Sequence, residues 1–269
     1  MSRLSLSVLL LTALVGAVPF DSKPEWTPGY QLKADELIFP VDGVGKSSIF
    51  CDRVIKESEY LSVLKAQGIS LGAPELDPDW VSYNASEIPD YDYVDVNPRG
   101  LESRQASCDQ TFSLVTDKTE TFVDWDVQMS PVTCAVGDMD ITVSSGYSIS
   151  NTVGGSAGVD LKFVKDRLGG SLGVDYSRTW TTSTAILQKG TVKDGNCGVM
   201  ITQPITTRRS GRLFKGCIGS TTQTGTWYAD SHNEKSYNGV KWVEGATSMC
   251  TKPGRAPPLS RCNGQGNFV

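Results

Sequence analysis

Histidine is almost missing from this chain: His232 is the single one among 269 residues. A His-rich metal site is thereby excluded, and imidazole-based catalysis would have to run through this one ring. No Cys-x-x-Cys occurs, so zinc-ribbon spacing is absent as well. No apolar run approaches the ~18–20 residues of a membrane-spanning helix. Excess positive charge is lacking too. The 25 Lys and Arg against 30 Asp and Glu leave a net charge of −5, which gives no general electrostatic reason to bind nucleic acid. What remains, 39% hydrophobic and 20% charged residues, suits a folded chain long enough for a packed core.

Residues 1–17 read as a signal peptide. Arg3 supplies the positive start, residues 8–15 a short apolar stretch, and Val15-Gly16-Ala17 the small residues before a cleavage site. The expectation is a secreted, extracellular protein. In an oxidising compartment cysteines are read first as disulfides. Six of the seven, Cys108, Cys134, Cys197, Cys217, Cys250 and Cys262, fall after residue 104 and can close three bridges among 15 connectivities. A hairpin centred near Arg208–Ser210 favours Cys197–Cys217, with Cys108–Cys134 and Cys250–Cys262 following as neighbours. Cys51 is left over. Asn84-Ala85-Ser86 is an N-glycosylation sequon in a loop-like stretch.

Charge divides the chain near residue 104. Residues 18–104 carry 16 acidic and 8 basic side chains, and residues 105–269 carry 14 and 16. The first part reads as an acidic N-terminal segment or pro-region with one helix over about residues 48–67. Phe50, Val54, Leu61 and Leu64 recur on one face of that helix, and Gly68 stops it. A cut after Arg104 would release it. The second part, 105–269, reads as a disulfide-bonded β-domain. Val123, Trp125, Val127 and Met129 alternate with polar residues, and 159–163 and 172–176 alternate around a Leu168-Gly169-Gly170 turn. The fold expected is mainly β, an antiparallel β-sandwich-like domain behind a short helix-containing segment.

Several motifs resemble catalytic or binding devices. Gly154-Gly155-Ser156-Ala157-Gly158 fits the nucleophile elbow of serine esterases, and His232 follows it in the chain. Alternation after Gly158 speaks against the strand–turn–helix that an elbow needs. Gly43-Val44-Gly45-Lys46-Ser47 lacks the first glycine of a phosphate-binding loop, since Pro40 stands there. Asp124 and Asp126 read as a solvated strand face rather than a glycosidase pair. Asp90, Asp92 and Asp95 lack the glycine and distal Glu of a calcium loop. Trp180, Trp227 and Trp242 read as core rather than sugar platforms. Arg208, Arg209, Arg212 and Lys215 form the one basic patch, suited to an anionic glycan, a lipid headgroup or an acidic partner. No cofactor and no metal ligand set emerges.

Across roughly 105–264 the chain resembles a family of secreted, effector-like proteins of filamentous fungi. The likeness rests on "TFSLVTDKTETFVDWDVQMSPV", "LGVDYSRTWTTSTA", "TVKDGNCGVMITQPITTRRSG" and "KSYNGVKWVEG". It implies a candidate virulence factor that binds an unknown host protein, glycan or membrane component, and it brings no catalytic residues. A second likeness is to aerolysin-type β-pore-forming toxins. Between Met139 and Thr191, 15 of 53 residues are Ser or Thr, and a hairpin over 139–190 would supply a barrel stem. The expected function is therefore host binding. Pore formation and a serine esterase using Ser156 and His232 stand as alternatives.

Overall fold

The computed structural model describes residues 26–27, 29–41, 51–75, 80–83, 111–217, 220–237 and 240–269. Residues 1–17, read from the sequence as a signal peptide, and Asn84, Arg104 and Cys108 lie outside the described residues. One strand, Asn196–Cys217, organises the fold. The sequence reading split it at a turn near Arg208–Ser210, yet all 22 residues are a single strand. Gly211 does not adopt a positive φ, and the polar residues there are absorbed by cross-strand partners instead of making a loop.

This central strand has different neighbours along its length. Asn196–Pro204 pairs with Gly245–Pro253 on one side and with Val127–Gln128 and Thr133–Cys134 on the other. Its second half pairs with Ser220–His232 and with Thr111–Val123. The hairpin Glu234–Tyr237/Val240–Val243 links the 220–232 strand to the 245–253 strand, which continues along the same edge. The result is an 11-stranded, largely antiparallel sheet, and the mainly β class expected from the sequence holds.

The acidic segment contributes to this sheet. Glu36–Val41 pairs with Cys51–Lys56 and places Ile38 beside Thr247. Ser70–Leu71 lies parallel to Phe122–Val123, and Trp80–Tyr83 pairs with the Thr152–Ser156 strand. Helix α1 is shorter than expected, Glu57–Ala66. Residues 51–56 leave the helical pattern because their backbone completes the edge beside 36–41. Tyr60 and Leu64 are the buried pair, packed with Leu37, Phe39, Ile205 and Ala246. Gly68, at φ +69, follows the helix as the sequence indicated.

Helix α2, Leu161–Leu172, replaces the hairpin expected over 159–176. Its start is set by Asp160, whose carboxylate accepts the Phe163 N–H at 2.9 Å, and its end by Gly173 in the left-handed region. Val159, Leu161 and Phe163 follow the strand period, while Leu161, Val164 and Leu168, spaced i, i+3 and i+7, follow the helical period. The helical period prevails because it presents all three to Val153, Leu213, Trp227 and Ala229 on one sheet face. The stretch 139–190 accordingly holds short strands and α2 instead of a long hairpin. Trp180, Trp227 and Trp242 are buried in the core, as expected.

Two disulfides lie wholly among the described side chains. Cys250–Cys262 forms as expected. Cys197 bonds Cys134, not Cys217, because the two are direct cross-strand partners. Cys197 and Cys217 sit at opposite ends of one strand, roughly 65 Å apart at ~3.3 Å per residue. Cys217 is also disulfide-bonded, to a residue outside the described side chains. No helix among the described residues is long and apolar enough to cross a membrane.

Candidate functional site

Alternation along the second half of the central strand sorts its side chains between two faces. Leu213 turns to α2 with Trp227 and Ala229. Thr206, Arg208, Ser210 and Arg212 turn to the opposite face. There Arg208 stands between Glu120 and Asp230 in the two flanking strands, and Ser210 between Lys118 and Tyr228. The pairing with 111–123 slips between Ser210 and Gly211. Such a bulge leaves one extra residue on the partner strand, and that residue is Asp117. A Cβ on Gly211 would come within 1.9 Å of the Val115 carbonyl oxygen, so this close approach requires glycine.

The bulge opens a cleft of about 360 Å³. Asp117, Lys118, Glu120, Arg208, Ser210 and Arg212 line it, with Thr226 at one side and Pro74 and Glu75 across the top. Arg208 forms its floor. The guanidinium donates to both Asp230 carboxylate oxygens at 2.7 Å and to the Pro74 carbonyl at 3.0 Å. It lies 5.1 and 5.2 Å from the Phe122 and Tyr228 ring centres. Burial raises the Asp230 carboxyl above its ordinary value, against the pull of this guanidinium. Arg212 makes a second fork, to Asp117 at 2.7 and 2.8 Å, which holds the Asp117 carboxyl below its usual range. Lys118, Glu120 and Glu75 have no ion-pair partner among the described residues.

The expected basic patch is therefore not one surface. Arg208 and Arg212 face the cleft, each bound to a carboxylate. Arg209 points to the other face, near Ser231 Oγ at 3.5 Å, and Lys215 lies 5.1 Å over the Phe112 ring. No protein family, curated protein or solved structure matches the chain. The chemistry of the site has to be read from its own side chains.

Ser156 and His232, the esterase candidates, are not brought together. Ser156 does end a strand that turns, through Gly158, into helix α2, so the strand–turn–helix context is present, contrary to the sequence reading. Its partners are the wrong ones. Ser156 Oγ accepts the Thr226 N–H at 3.0 Å. Register aligns Gly155 with Trp227 and Thr152 with Asp230, which puts His232 roughly 20 Å away along the strands. His232 is itself committed. Asn151 Oδ1 accepts its backbone N–H at 2.8 Å and faces Nδ1 at 3.1 Å. Asn151 Nδ2 donates to the Asp175 carbonyl, which fixes the amide orientation and assigns the ring proton to Nδ1. Nε2 is buried with no hydrogen-bond partner among the described residues. Burial pulls the imidazole down to about 4, so it is neutral near pH 7.

Asp124 and Asp126 do not form the solvated pair expected of them. The strand stops at Val123, the alternation inverts, and Asp126 is fully buried while Trp125 is 44% exposed. Asp126 accepts the Asn263 N–H at 2.6 Å and a long bond from Gln203 at 3.4 Å. Burial raises both carboxyls. Asp126 also lies close to the sulfurs of Cys250 and Cys262. Those sulfurs are joined to each other and offer no thiolate, so the trio is no metal centre.

Of the cleft residues, the sequence singled out Arg208 and Arg212. It missed Asp117, Lys118 and Glu120. The alternation in Asp117-Lys118-Thr119-Glu120 hints at a polar strand face, but only the register reveals what stands opposite.

Proposed function

We propose that this is a secreted, effector-like binding protein that contacts a host molecule and performs no chemistry of its own. The signal-peptide-like start and the disulfides support passage through an oxidising compartment. The observation that carries the binding reading is the cleft on the face away from α2. Its arginines are locked by carboxylates, while Lys118 and Glu120 have no ion-pair partner among the described residues. Pre-set polar groups on a rigid sheet favour recognition. The separation of Ser156 from His232 removes the esterase pair.

The test uses fluorescently labelled full-length protein on host cells. Saturable binding that unlabelled wild type displaces, and that a Lys118→Ala/Glu120→Ala variant fails to displace, supports the reading. Absence of saturable binding overturns it. So does fluorophosphonate labelling that disappears in Ser156→Ala.

A further inference from the structure

We propose that the cleft is a carbohydrate site for a neutral, polyhydroxylated ligand, a refinement that rests on the binding reading above. Charge is the first argument. The lining carries three cations, Lys118, Arg208 and Arg212, and three carboxylates, Glu75, Asp117 and Glu120. A phosphate, sulfate or uronate group placed here meets as many carboxylates as cations, so the lining offers it no net charge attraction. A cationic ligand meets the same balance with signs reversed. The anionic partner that the Arg-rich sequence suggests is thereby disfavoured.

Hydrogen-bonding capacity is the second argument. Each fork fixes the plane of a guanidinium, yet the three hydrogen bonds of Arg208 and the two of Arg212 leave N–H donors of both groups over. Glu120 offers acceptors alone, and Ser210 and Thr226 add hydroxyls on the same wall. The lining thus combines donors and acceptors without net charge. Vicinal hydroxyls, each both donor and acceptor, match that pattern. An apolar ligand does not. The Phe122 and Tyr228 rings are covered by Arg208 and the Phe214 ring by Arg212, and no aromatic side chain lines the cleft. Its size, about 360 Å³, lies at the small end of the ~300–1,000 Å³ range of small-molecule sites. Without a stacking platform, affinity rests on hydrogen bonds, and a Kd on the order of 0.1–1 mM is expected.

Titration calorimetry on the full chain tests this with tetrasaccharides of chitin, cellulose, xylan and mannan. Oligogalacturonate and heparin fragments form the anionic arm. At least one neutral tetrasaccharide is expected to saturate, with less than about twofold change in Kd between low and high salt. Glu120→Gln and Lys118→Met, two side chains without ion-pair partners among the described residues, are each expected to weaken it about tenfold with unchanged melting temperature. Binding confined to the salt-sensitive anionic arm overturns the ligand class, and neutral binding indifferent to both variants overturns the site. No saturation by any neutral tetrasaccharide overturns the proposal. In each of these cases, displaceable binding to host cells keeps the broader binding reading in place.

Discussion

Acidification tests the placement of His232. In the fold its ring is enclosed between Asn151 and Trp180, whose centroid lies 6.0 Å away edge-on. Burial is the cause of its depression to about 4 from 6.5. The unfolded chain therefore takes up the proton first as pH falls, so stability decreases on acidification. The loss begins below pH 6.5, is complete near pH 4, and at ~1.4 kcal/mol per pH unit amounts to about 3 kcal/mol. Asp124, Asp126 and Asp230, raised by burial, act with the opposite sign in the acid range. Comparison with His232→Gln cancels their share, because Gln cannot be protonated and its amide can still donate to Asn151. Urea unfolding at intervals from pH 7.5 to 4 gives both profiles. The wild-type stability relative to the variant is expected to fall by about 3 kcal/mol across that window. Parallel profiles would show that the imidazole is not desolvated in the native state, and the argument for its inertness would collapse with it.

Three further outcomes follow from the packing. Arg208→Ala strands the Asp230 carboxylate in the sheet and is expected to cost about 3–5 kcal/mol, whereas Arg208→Met/Asp230→Leu should recover most of it; denaturant titration of both variants distinguishes the two. Gly211→Ala drives a Cβ into the Val115 carbonyl and is expected to lower stability by about 2–3 kcal/mol, measured as a drop in Tm, with no drop refuting the bulge. Removing Cys134–Cys197, which spans 63 residues, should cost more than removing Cys250–Cys262, which spans 12. Chain entropy gives about 4 against about 3 kcal/mol, and equal losses in paired Cys→Ser variants would contradict that account.

Composition and period carried the β class, the buried tryptophans, the Gly68 stop and the Cys250–Cys262 bridge, because each depends on residues close in sequence or on hydrophobicity alone. A short bridge and a left-handed stop are local facts. The rest depended on pairing across long separations. Arg208 looks like part of a basic turn until register sets Asp230 and Glu120 beside it. Leu161, Val164 and Leu168 became a helix because a sheet face made of Val153, Leu213 and Trp227 was there to receive them. Side chains alternate with period 2, so shifting the pairing by one residue exchanges the two faces of a strand. Nothing local to Arg208–Arg212 states which partner residue lies opposite. The sequence determined that this chain would build sheets and bury Trp180, Trp227 and Trp242. Tertiary register alone decided that its arginines would be neutralised, its serine and histidine kept apart, and a charge-balanced cleft left open.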